Sequence, residues 1–158
     1  MSRPYRRAVL LVVEDDPAHV RLIERCLCPA GDEDVHLELR HVADGQQALD
    51  YLFRRGAFVD SDASPRPQLV LLDLRLPRCD GFEVLESVKG DARTQAIPVV
   101  VLTTSDAPRD ISEAYARQAN GYLVKPGDIE EMSDMLARAR AFWLQHNRTV
   151  IDDEQIAS

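Results

Sequence analysis

Short apolar runs alternate with amphipathic segments along the whole chain, and this alternation restricts the fold more than any other feature of the sequence. The apolar runs are residues 8–13, 35–42, 68–72, 97–102 and 121–124. Helical patterns lie between and after them, over 17–28, 45–56, 81–89, 108–119 and 128–146. Residues 8–13 and 68–72 are apolar almost throughout, as expected for strands covered on both faces. Strands that alternate with helices pair in parallel through right-handed crossovers. The expectation is an α/β domain: a doubly wound, five-stranded parallel sheet with helices on both faces.

Punctuation agrees with these breaks. Asp16 precedes Pro17 as a helix cap should, Pro29 closes that helix, and Asp44-Gly45 opens the next. The stretch 54–67 (RRGAFVDSDASPRP) reads as a polar loop. One domain over residues 1–148 is expected, with a short polar tail over 149–158 and no room for an output domain.

In an open parallel sheet, ligands bind outside the carboxyl ends of the strands. There the polar residues of this chain gather. The first strand runs into Glu14-Asp15, the third into Asp73, the fourth into Thr103-Thr104 and the fifth into Lys125-Pro126. Three carboxylates brought together repel one another unless a proton or a cation neutralises them. Oxygen donors without His or Cys point to Mg²⁺, which takes few protein ligands and keeps several waters. A carboxylate beside Mg²⁺ can accept a phosphoryl group by in-line displacement, with Lys125 and the Thr103 hydroxyl meeting other phosphoryl oxygens.

Charge and cysteine usage narrow the remaining classes. With 27 acidic against 19 basic residues and a formal charge of −8, the chain lacks the cationic surface that nucleic acid or an anionic membrane requires. Three arginines precede an apolar run that stops at Glu14, too soon for a secretion signal or a membrane span. A cytoplasmic protein is expected. Cys26, Cys28 and Cys79 are odd in number and lack ligand spacing, so they read as free thiols. The four histidines, at 19, 36, 41 and 146, are scattered and read as surface or packing residues.

The segments VVEDDP, LVLLDLRLPRCDG, VVVLTTSD and NGYLVKP resemble the CheY-like response regulator receiver family in order, residue type and spacing. Thr103 and Lys125 stand 30 and 52 positions after Asp73, by subtraction of residue numbers, as the family requires. The resemblance covers roughly residues 6–146 and implies a sheet of strand order 2-1-3-4-5. It identifies Asp73 as the phospho-acceptor, Asp15 as a direct Mg²⁺ ligand, Glu14 as a ligand through water and the Arg75 carbonyl as a third protein ligand. Lys125 becomes the phosphoryl-binding lysine, Thr103 and Tyr122 the switch pair, and the Lys125-Pro126 bond cis. Pro77, Asp80 and Gly81 shape the turn after the third strand.

The chain departs from the family in Thr104, where a smaller residue is usual, and in Gln118, where Gly often stands. Thr104, together with Arg75 and Ser105 flanking the acceptor, is expected to tune loss of the phosphoryl group. The 54–67 loop, Ala119-Asn120 and Phe142-Trp143-Leu144 resemble the single-domain regulators paired with bacterial and cyanobacterial phytochrome kinases.

The partner implied is therefore a sensor histidine kinase. In the last helix Ile129, Met132, Leu136, Ala139 and Trp143 form a core stripe, with Met135 and Phe142 on an adjoining face. That wide apolar arc leads us to expect a homodimer through the last helix and its neighbours. Two other functions are weighed. A Mg²⁺-dependent aspartyl phosphohydrolase of the haloacid dehalogenase type would carry a second Asp two positions after the nucleophile, where this chain has Arg75. A non-reactive receiver-like scaffold would have lost an acid, the Thr or the Lys, and all are present.

Overall fold

The computed structural model describes residues 6–28 and 35–151. Pro29 and residues 152–158 of the tail lie outside them. The elements follow in the order β1 (Arg6–Val13), α1 (Pro17–Leu27), β2 (Val35–Val42), α2 (Gly45–Phe53), β3 (Leu69–Leu72), α3 (Gly81–Lys89), β4 (Val99–Thr103), α4 (Pro108–Ala116), β5 (Gly121–Val124) and α5 (Ile129–Arg140). All five strands pair in parallel, in the order β2-β1-β3-β4-β5.

The two-residue repeat of a strand divides the core. Leu11, Val13, Val70, Leu72, Val99 and Val101 pack towards α2 and α3. Leu10, Val12, Leu69, Leu71, Val100 and Leu102 point the other way, against Ile23 and Leu27 of α1 and Met132 and Leu136 of α5. Strands this apolar on both faces cannot sit at a solvent surface, which is why helices cover both sides.

Local signals set the helix starts. Asp16, Asp44, Asp80 and Asp128 each cap a helix by accepting the backbone N–H of its second or third residue. Helix α4 begins on Pro108 without a side-chain cap. It ends short of the expected position, and Gln118 beyond it takes a left-handed conformation, φ 70°.

Three points qualify or correct the expectations. First, the 54–67 stretch is the expected loop, but it carries local order: Arg54 ends α2 at φ 54°, and a short 3-10 turn follows over Gly56–Phe58. Buried Ser64 donates to the Phe58 and Asp60 carbonyls, while the Tyr51 hydroxyl donates to the Pro65 carbonyl at 2.7 Å. Second, the last helix widens into a π-helical segment over Ala141–His146. Its buried residues are Met132, Leu136, Arg140 and Leu144, so Ile129 is 68% exposed and lies off the core stripe. Four-residue steps drift by about 40° each on an ordinary helix, and the wider π turn removes part of that drift. Third, none of the described peptide bonds is cis, Lys125-Pro126 included. The trans form is the lower-energy isomer of an X–Pro bond, and the strand pairing here is compatible with it: the Lys125 N–H donates to the Thr103 carbonyl at 2.6 Å.

Beyond α5 the chain returns to the sheet. Ile151 is 4% exposed and belongs to the α2/α3 side of the core, although Leu144 belongs to the α1/α5 side.

Candidate functional site

Strand register brings the site together. Val13 pairs with Leu72, so the next residues, Glu14 and Asp73, emerge side by side; Thr103 pairs with Val124, so Lys125 follows directly. Carboxylate oxygens of Glu14, Asp15 and Asp73 lie within 4.8 Å of one another. Glu14 is 2% exposed and Asp73 8%, whereas Asp15 opens to solvent. The Lys125 ammonium is buried among them, 2.5 Å from Glu14 Oε2 and 3.0 Å from Asp73 Oδ2.

One buried ammonium facing two buried carboxylates and a third exposed one leaves an excess of negative charge. The titration behaviour reflects that excess. Burial raises the Glu14 carboxyl above its ordinary value, and neighbouring Asp73 adds to the rise against the pull of Lys125. Burial would raise Asp73 as well, but hydrogen bonds from Glu14 and Lys125 and the lysine charge hold it below its ordinary value. Three acidic side chains with only oxygen donors fit a hard divalent cation, which would supply the missing positive charge.

Both Glu14 oxygens already receive protein donors: Oε2 the Lys125 ammonium, and Oε1 the Asp16 N–H at 3.1 Å. His41 Nε2 lies 2.7 Å from the Glu14 carbonyl and steadies the end of β1. Around the turn that follows Asp73, Gly45 and Gly81 permit close main-chain approach. A Cβ on Gly81 would stand 2.4 Å from the Asp73 carbonyl oxygen, and one on Gly45 would stand 1.8 Å from that of Cys79. The three cysteines are free.

The other expected residues form a second chain of contacts beside the acids. Thr103 is fully buried, its hydroxyl oxygen accepting from the Ser105 N–H at 3.4 Å. Ser105 donates from its hydroxyl to Asp110 Oδ2 at 2.5 Å, and the Arg75 guanidinium lies 3.7 Å from the same oxygen. The Tyr122 hydroxyl donates to the Ser105 carbonyl at 2.9 Å. Thr104 is exposed. Next to them a groove of about 500 Å³ is lined by Asp15, Arg75, Leu76, Pro77, Phe82 and Asp110, among others.

Sequence reasoning missed one member. His19, expected to be a surface or packing residue, places Nδ1 2.9 Å from Lys125 Nζ and 3.6 Å from Glu14 Oε1. The available signal was its position in the first turn of the helix that starts at Pro17, immediately behind the acid pair.

Comparisons with known proteins agree with this geometry. Residues 10–137 match the family described as the response regulator receiver domain. The chain is 40% identical over 141 residues to the probable methanogenesis regulatory protein FilR2 of Methanothrix harundinacea, covering 89% of this chain and 86% of that one. It is 38% identical over 137 residues to response regulator Rcp1 of Synechocystis, covering 87% and 89%. The Mn²⁺-bound structure of Rcp1 superposes with a TM-score of 0.81 over 90% of this chain and 98% of that one, at 37% identity. The phosphorylated cyanobacterial phytochrome response regulator RcpA does so with 0.83 over 90% and 98%, at 34% identity. The resemblance read from four strand ends is therefore a family relationship: this chain belongs to the response regulator receiver domains and is a two-component response regulator.

Proposed function

We propose that Asp73 is the residue that takes the phosphoryl group, from a phosphohistidine of a sensor histidine kinase. The observation that carries this reading is the buried Asp73 carboxylate held 3.0 Å from the Lys125 ammonium, within 4.8 Å of two further acids. One Asp73 oxygen attacks phosphorus, the bond from phosphorus to the histidine nitrogen breaks, and the released imidazole takes up a proton. Lys125 then turns its Asp73-facing N–H to a phosphoryl oxygen, and the Thr103 hydroxyl, at the adjoining strand end, donates to another.

Mg²⁺ is the ion that the all-oxygen donor set suits best; when bound it neutralises charge on the transferring group. Asp15 and Asp73 would ligate it directly, with the Arg75 carbonyl, while Glu14, its oxygens already engaged, would act through water. Drawing Thr103 inward would loosen its contact with the Ser105 N–H and disturb the Tyr122–Ser105 bond, which couples phosphorylation to the outer surface of β5. Arg75, Thr104 and Ser105 would set the rate of phosphoryl loss. Catalysis is limited to the protein's own phosphoryl uptake and hydrolysis.

Among the described residues no helix is long and apolar enough to cross a membrane, which is compatible with a cytoplasmic site of action. Similarity to Rcp1 and RcpA supports a phytochrome-type kinase as donor. Exposed Tyr115, Ile129 and Phe142 on α4, α5 and the π segment support a homodimer strengthened by phosphorylation. Sedimentation with and without a phosphoryl mimic tests that pairing, and a monomer in both states removes it. The acceptor itself is tested with acetyl phosphate and Mg²⁺: wild type should label, and Asp73→Asn should not. Full labelling of Asp73→Asn would refute the assignment.

A further inference from the structure

Lys125 has three N–H donors, and each has a partner in the structure: Glu14 Oε2 at 2.5 Å, His19 Nδ1 at 2.9 Å and Asp73 Oδ2 at 3.0 Å. An imidazole Nδ1 without a proton can accept from the ammonium, and the other ring nitrogen, Nε2, faces Asp16 Oδ2 at 3.6 Å. His19 is itself placed by its helix, in the first turn of α1 behind the Asp16 cap, and is only half-buried, with 36% of its side chain exposed. The ammonium is thus gripped from two sides that do not react, Glu14 and His19, and from one side that does.

We propose that His19 is a positioning residue for phosphoryl transfer, which orients the Lys125 ammonium so that its remaining N–H faces the group arriving on Asp73. This rests on Asp73 being the acceptor. A lysine stem has four rotatable bonds and an ammonium that turns freely. If only carboxylates held it, the charge could swing between them, and the order lost would have to be restored during transfer. His19 fixes the third contact with a neutral acceptor, which adds no further negative charge to an already acidic pocket.

The test uses the intact chain with acetyl phosphate and saturating Mg²⁺, which removes any effect of kinase docking on α1. His19→Ala should label about tenfold more slowly, the kinetic worth of one hydrogen bond from a charged donor. His19→Asn, whose amide oxygen can stand where Nδ1 does, should recover to within about twofold of wild type. In a Lys125→Ala background, His19→Ala should have no additional effect, because nothing is left to orient. Mg²⁺ and Mn²⁺ affinities, measured by direct titration, should be the same in wild type and both His19 variants. The proposal is overturned if His19→Ala labels at the wild-type rate, if Asn fails to rescue, or if the slowing persists without Lys125. A selective loss of Mn²⁺ affinity would also overturn it, because the imidazole would then be a metal ligand. Labelling of Asp73→Asn would instead sink the acceptor assignment beneath it.

Discussion

Gly81 offers a direct way to ask whether backbone packing holds Asp73, the proposed acceptor, in place. Replacing it by Ala would set a Cβ 2.4 Å from the Asp73 carbonyl oxygen and 2.6 Å from Leu74 Cα, both main-chain atoms. Carbon and oxygen ordinarily approach no closer than about 3.3 Å, so about 1 Å of backbone displacement is needed. The segment has little freedom to yield: the Asp73 N–H donates to the Val13 carbonyl at 3.0 Å and the Gly81 N–H to the Leu74 carbonyl at 2.9 Å. Overpacking costs about 1–3 kcal/mol, and a main-chain clash belongs at the upper end. A gain of up to about 1 kcal/mol in helix propensity offsets part of it. The net expectation is about 2 kcal/mol of lost stability in urea unfolding. A misplacement of this size costs on the order of a hundredfold in rate, so acetyl phosphate labelling of Asp73 should slow by about that factor. Gly121→Ala is the control, since its Cβ would meet only Val100 methyl groups at 3.5 and 3.6 Å, and it should change stability by less than about 0.5 kcal/mol. If Gly81→Ala were as stable and as reactive as Gly121→Ala, the reasoning from close approach would be wrong.

Three further outcomes are expected. Burial pushes the Tyr51 hydroxyl up to about 12, above its value of about 10 in the unfolded chain, so the folded state keeps its proton where the unfolded state loses it. That contribution, at most about 2 kcal/mol after solvent screening, is complete below pH of about 10 and disappears between about 10 and 12. Tyr51→Phe should therefore flatten the alkaline limb of a stability–pH curve, and an unchanged limb would refute the assignment. The Arg75 guanidinium stands 3.7 Å from Asp110 Oδ2 at the rim of the groove; on the proposed role of Arg75 in phosphoryl loss, Arg75→Asn should accelerate decay severalfold, roughly 1 kcal/mol in barrier, and slower decay would contradict this. Ile151→Ala removes a buried side chain and should cost about 2 kcal/mol or more in chemical unfolding, whereas a change below about 0.5 kcal/mol would mean that the residue does not pack as described.

The sheet was readable because its strands are continuous apolar runs, and the acids, Thr103 and Lys125 because register alone carries strand ends to one edge. Lys125 needs no sequence neighbour to meet Asp73; its place after β5 and its length suffice. His19 was not readable in the same way. Its contact with Lys125 depends on helix phase and side-chain direction, which spacing from Asp15 suggests only once the helix start is fixed. The π segment was hidden for a related reason: a four-residue spacing of buried side chains violates the ordinary helical period, so periodicity placed Ile129 in the core, where it is not. The 54–67 stretch has loop composition and is a loop, but composition cannot display the hydrogen bonds that order it, from Tyr51 to the Pro65 carbonyl and from Ser64 to those of Phe58 and Asp60. Gln118 is an intermediate case: the missing glycine left Gln118, Asn120 or a different helix end open, and the structure gives the left-handed conformation to Gln118.

The return of the chain at Ile151 also changes how the two halves of the core can come apart. A sheet normally insulates the layer above it from the layer below, and each could loosen alone. Here only the segment between Leu144 and Ile151 separates a side chain anchored on one layer from another anchored on its opposite. Tension applied at the carboxyl terminus would be felt first beneath α2 and α3, while α5 stayed shielded until that anchor slipped.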